Sequence, residues 1–110
     1  MPARLIDIAE LQPTDTLRLE AQSYFESLSL NEIAKRHGLP QVCETSHGLL
    51  ISDGNQRTAS YAKKKIAKIE VDFQQTSIPD YFLDYLNLVI SQAEVLRKQG
   101  IYSPLDLWQA

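Results

Sequence analysis

The residues best placed to do chemistry lie in one run, Leu49-Leu50-Ile51-Ser52-Asp53-Gly54-Asn55-Gln56-Arg57-Thr58-Ala59. It reads as a strand, a tight turn and a helix start. Gly54 accepts a positive φ and lets a ligand approach the backbone. The first N–H groups of the helix then point at the turn without intrahelical partners, and with the helix dipole they form an anion site. Arg57 falls in that first turn, where the dipole disfavours a cation. An anion lying between them would explain its presence, and its planar fork matches phosphate oxygens. Asp53 could hold a metal ion or fix the turn, and Asn55 and Gln56 could donate to a ligand. The plainer alternative is a simple strand-to-helix connection, in which Asp53 or Asn55 caps the helix and Arg57 pairs with a surface acid.

Charge is uneven around this run. Between Gly54 and Ile69 stand Arg57, Lys63, Lys64, Lys65 and Lys68 with no Asp or Glu, whereas the rest of the chain has six cations against fourteen acids. Such a segment can focus potential toward an anion, although Lys63 to Lys65 read more simply as a solvated helix face. Other candidates carry less. Cys43 reads as a small buried hydrophobe. His37 suits a helix C-terminus, and His47 falls in a turn, so the pair makes a weak metal site. Glu10 and Glu20 are the nearest upstream acids that could serve as a base. Leu28 to Leu39 has the look of the first helix of a helix-turn-helix. Its second helix would have to run through Gln41 to Leu50, where Val42, Thr45 and Gly48 suit a hairpin better.

The elements that must position the run can be read from periodicity. Arg4 to Ala9 reads as a strand with Ile6 and Ile8 on one face. Thr14 or Asp15 can cap a helix carrying Leu17, Ala21, Tyr24, Phe25 and Leu28. Ser29 and Glu32 make a capping box for a short helix that Gly38 ends. Gln41–Glu44 and Leu49–Ser52 read as strands joined by Ser46-His47-Gly48. Ala59, Ala62 and Ile66 mark a helix, and Ile69, Val71 and Phe73 alternate with polar residues as a strand does. After Thr76 to Ile78, Pro79 suits a helix start. Ile78, Phe82, Tyr85, Val89, Ala93 and Leu96 give that helix its apolar stripe, Tyr81, Leu86, Leu88 and Ile90 widen it, and Gly100 closes it. Tyr81, Phe82 and Tyr85 read as core or interface. Ser103-Pro104 opens a last short helix carrying Trp108. The chain of 110 residues, with 44% hydrophobic and 23% charged residues, fits one globular domain. Its single Cys excludes an internal disulfide framework. No apolar run reaches membrane-spanning length, and the N-terminus lacks a signal-peptide stretch, so a cytoplasmic protein is expected. A net charge of −3 argues against generic nucleic-acid binding.

Asp53-Gly54-Asn55-Gln56-Arg57-Thr58-Ala59, with its preceding strand, resembles the signature of the ParB/sulfiredoxin superfamily, a strand, a Gly-x-x-Arg turn, an Ala-rich helix and a strand. Ile6 to Pro13 is similar to the first strand and Pro turn of ParB-like domains. The resemblance covers about residues 4 to 73. It implies an α/β fold, a small mixed sheet with packed helices, over 1–75, with 76–110 a helical C-terminal extension of the same domain. It further implies a nucleotide, ATP or CTP, or another phosphate-bearing ligand, bound by Asp53, Gly54, Asn55, Gln56, Arg57 and Thr58, with Mg²⁺ on Asp53. Phosphoryl transfer or nucleotide hydrolysis would be the reaction class. Asn55 stands where sulfiredoxin has its catalytic cysteine, so that reaction is not expected. Partition proteins carry Glu and Arg, and kinase-like members His, where Asn55 and Gln56 stand. The alternatives are a non-catalytic regulatory or adaptor module acting through protein contacts, or a DNA-associated domain using the basic segment. The wide apolar arc of the C-terminal helix leads to the expectation of a homodimer, with Trp108 either clasping its own chain or anchoring in the neighbour.

Overall fold

The computed structural model describes residues 3–74 and 80–109, and of 80–82 the backbone only. The roles read for Ile78, Pro79 and the side chains of Tyr81 and Phe82 lie outside the described residues.

Five strands form one mixed sheet: β1 (Ala3–Asp7), β2 (Leu11–Gln12), β3 (Gln41–Thr45), β4 (Gly48–Asp53) and β5 (Lys68–Phe73), in the order β1-β5-β3-β4-β2. β1 pairs antiparallel with β5, and β3 antiparallel with β4, whereas β3–β5 and β4–β2 are parallel. Four helices pack on it: α1 (Leu19–Glu26), α2 (Leu30–His37), α3 (Asn55–Lys63) and α4 (Asp80–Lys98). This is the mixed α/β architecture expected from the sequence, with the C-terminal helix included.

The period of two along the strands divides the core. Val42, Ile51, Val71 and Phe73 pack with Phe25, Ile33 and Tyr61 from α1, α2 and α3. Leu50, the next residue along from Ile51, packs instead with Val89 and Ala93 of α4. Helix α4 therefore covers the sheet face opposite to the other helices. A third cluster joins Ala59, Leu96, Ile101 and Leu107 with Leu17 and Trp108. Trp108 Nε1 donates to Ala59 O at 2.9 Å, so Trp108 clasps its own chain from a short 3₁₀ turn at Pro104–Trp108.

Local signals were realised where their chemistry stayed local. Ser29 and Glu32 form the capping box of α2. Gly38 and Gly100 follow their helices at φ +75° and +84°. Three readings need correction. The first strand ends at Asp7, because Ile8–Glu10 turns as a 3₁₀ helix tied by Ile8 N donating to Ala67 O at 2.9 Å. Neither Thr14 nor Asp15 caps a helix. The Thr14 hydroxyl donates to Ile51 O at 2.6 Å, Asp15 binds Thr16 N and Arg18, and α1 begins four residues later with Arg18 at its N-cap. The stretch that a helix-turn-helix needs for its second helix is the β3–β4 hairpin.

Candidate functional site

Gly54 directly follows β4 and is the N-cap of α3, at φ +98° and ψ 25°. No cap side chain accepts from the first turn of α3, so neither Asp53 nor Asn55 caps the helix. A Cβ at Gly54 would lie 2.9 Å from Arg57 Nη2 and 3.1 Å from both Cα and Cβ of Pro40. The glycine is therefore required twice, by its backbone angle and by the closeness of Arg57 and Pro40. Arg57 folds back under this turn with its side chain only 12% exposed. Its Nε is buried and has no hydrogen-bond partner among the described residues. The acid beside it is Asp53, whose Oδ2 lies 3.6 Å from Nη2 and whose side chain is 70% exposed. So the surface-acid pairing of the plainer reading is present, but it is long, and it leaves a largely buried guanidinium at the positive end of a helix.

A cleft of about 590 Å³ opens at this point. Asp53, Gly54, Asn55, Gln56 and Arg57 line its polar end together with Thr14, Asp15 and Arg18. Thr58 does not join them. It is fully buried, and its hydroxyl donates to Gly54 O at 2.7 Å, one helical turn back. Asn55 and Gln56 line the cleft but spend their amides on the opposite wall. Asn55 Oδ1 accepts from Thr14 N at 2.8 Å, and Asn55 Nδ2 donates to Thr14 Oγ1 at 3.0 Å. Gln56 Oε1 accepts from Arg18 N at 2.9 Å and Gln22 Nε2 at 3.0 Å, while its Nε2 donates to Thr16 O at 2.7 Å. These two side chains lock residues 14–18 across the head of α3.

Lys63 and Lys65 are exposed, as a solvated helix face requires, and Lys64 is the exception. Lys64 Nζ donates to Phe25 O at 3.0 Å and to Ser60 Oγ at 3.2 Å, tying α3 to α1. Lys63 lies 4.7 Å from the centre of the Trp108 ring. Cys43 is fully buried, burial raises its thiol pKa, and its Sγ contacts Gln74 Oε1 at 3.2 Å. His37 meets Tyr24 Oη at 2.9 Å, and His47 lies 3.7 Å from Glu94. Among the described residues no group of three or more His, Cys, Asp and Glu is placed to hold a metal ion, and no helix is long and apolar enough to cross a membrane.

Sequence reasoning missed the rest of the cleft. Ala21 and Phe25 of α1 and Tyr85, Leu88, Val89 and Gln92 of α4 form its other walls. Tyr85 Oη donates to Ser52 O at 2.9 Å, fixing α4 beside the end of β4. No local pattern announces this. The walls meet residues far away along the chain, as Tyr85 meets Ser52, 33 positions away, and the sequence reads 76–110 only as a helical extension of the same domain. No family model, curated protein or solved structure matches this chain.

Proposed function

We propose that the cleft at the head of α3 binds a nucleotide, ATP or CTP, or another phosphate-bearing ligand, in the manner of ParB/sulfiredoxin-like domains. The observation that carries this reading is Arg57, a largely buried and incompletely paired guanidinium beneath Gly54. Burying such a charge is costly unless something compensates it. Phosphate oxygens at the first turn of α3 would do so, meeting the helix N–H groups and the guanidinium together. The cleft volume falls within the range of small-molecule sites, about 300–1,000 Å³.

The cleft carries carboxylates of the kind Mg²⁺ takes. Mg²⁺ is commonly held by one or two carboxylates plus substrate phosphates rather than by a protein cage, and the cleft offers Asp53 and Asp15. Asp53, the more exposed of the two, is the residue that would hold the ion, which would neutralise phosphate charge. Gly54 would keep the backbone close to the phosphates, and Arg57 would stabilise the charge that develops on them if the reaction is phosphoryl transfer or nucleotide hydrolysis.

Thermal unfolding with ATP and with CTP, each with and without Mg²⁺, tests the reading. A ligand at 100 times its Kd adds about 2.7 kcal/mol, and Arg57→Ala should abolish the shift. Unfolding temperatures that no phosphate compound moves would overturn it. Phosphate release from the shifted complex then separates hydrolysis from binding alone.

A second reading, association of two copies through α4, is supported by Leu83 and Val95, which are 49% and 55% exposed on that helix.

A further inference from the structure

The cleft has two chemically different ends. Arg57 and Gly54 stand at one. Toward α1 and α4 the lining becomes apolar, with Ala21, Phe25, Leu88 and Val89. Phe25 and Val89 are buried core residues, whereas Leu88 is 54% exposed. An exposed leucine that lines a cleft already containing a buried arginine differs from a leucine on open surface. Its apolar area faces the same space as the charge. A bare anion would satisfy Arg57 and leave this wall wet. A phosphate carrying a flat or apolar body would satisfy both ends, because pocket ligands bury most of their surface against apolar lining while a few polar groups fix their orientation.

We infer that Leu88 on α4 is a specificity-determining residue, selecting phosphate compounds that carry a base-sized organic body over inorganic polyphosphate. The inference rests on the reading of the cleft as a phosphate site and adds to it a role for α4, which lies outside the segment that resembles ParB-like domains. It also assigns Leu88 to the ligand and not to a protein contact. Leu83 and Val95 share its helix and its exposure, yet neither lines the cleft.

The test titrates CTP, ATP and inorganic tripolyphosphate, all with Mg²⁺, into the wild-type protein and into Leu88→Gln, Val95→Gln and Arg57→Ala. Leu88→Gln should weaken the better of the two nucleotides about tenfold, the scale of a small apolar contact in a pocket, and leave tripolyphosphate unchanged. Val95→Gln should change neither. Thermal unfolding of the unliganded Leu88→Gln protein should match wild type, since the side chain is half exposed. Equal weakening of nucleotide and tripolyphosphate, or no weakening of either, overturns the role of Leu88. If Arg57→Ala still abolishes binding, the phosphate reading then stands without it. Failure of all three compounds to bind the wild type removes both.

Discussion

At the scale of the residue, Gly54 shows how backbone and site chemistry share one position. The sequence made its turn legible, since Asp-Gly after an apolar strand is a breaker with a known geometry. The nearness of Pro40 was not legible, because it comes from a residue 14 positions upstream. Gly54→Ala should cost about 1–3 kcal/mol from its positive φ, and more from the clash, because Pro40 presents backbone that cannot swing aside as Arg57 Nη2 can. Gly100 is the control. It too has a positive φ, +84°, but a Cβ there meets nothing within 4 Å. Denaturant unfolding of both variants separates the two costs, and equal losses would show that the contact with Pro40 does not matter. Cys43 gives a pH dependence. Burial raises its thiol pKa above the ordinary 9.0, against a smaller opposing hydrogen bond from Ser52. The unfolded chain therefore releases the proton first as pH rises. The stability linked to Cys43 is fully present below pH 9.0 and is lost through the interval up to the raised value. Tyr61, raised from 10.0 by burial, adds to the loss at higher pH. Cys43→Ala should flatten the first part of this alkaline decline in unfolding free energy, and an unchanged slope would refute the linkage.

At the scale of the element, what could be read depended on whether a signal's partner was near in sequence. The Ser29–Glu32 box and the stop at Gly100 are complete within a few residues, and both formed. Thr14 and Asp15 had the right chemistry for a cap but found better partners in Ile51, Asn55 and Arg18, so tertiary contacts displaced the local preference. The end of α3 carried a signal written in the wrong residue. Lys65 N donates to Ala62 O at 3.0 Å and Ile66 N to Tyr61 O at 3.1 Å, the bonding of a Schellman motif, with Lys65 at φ +63° where glycine is usual. Ile66 packs against the cluster containing Tyr61, which supplies the hydrophobic contact that accompanies this motif. The packing of Ile66 and the bond from Lys64 to Phe25 together hold a non-glycine residue in a costly conformation. Lys65→Gly should therefore stabilise the protein by about 1 kcal/mol, read as a rise in denaturation midpoint at constant slope. A fall would mean that the Lys65 side chain contributes more than its backbone strain costs.

At the scale of the whole molecule, the fold class and the polar end of the cleft were legible, whereas the place of α4 was not. Alternation along β5 announced a half-buried sheet, but not which face each helix takes. Leu50 and Ile51 are both apolar, and only the packing shows that one belongs to α4 and the other to α1–α3. The wide apolar arc of α4 thus has three claimants. Val89, Ala93 and Leu96 are buried within the chain. Leu88 lines the cleft. That leaves Leu83 and Val95 for a second copy, and twelve residues of helix set them about 18 Å apart. An interface using both must run along most of the helix, and a stable one buries about 800 Å² per partner. At 3.6 residues per turn they also stand about 120° apart around the helix axis, so an interface centred on one need not include the other. Light scattering at micromolar concentration should give twice 12.5 kDa, and the double variant Leu83→Lys, Val95→Lys should return the mass to that of one chain. A mass of 12.5 kDa that does not change with concentration would remove the dimer and leave Leu83 and Val95 as scattered apolar residues of the ordinary surface kind. It would not touch Leu88, whose role is read in nucleotide affinity and not in mass, so the two uses of α4 can fail independently.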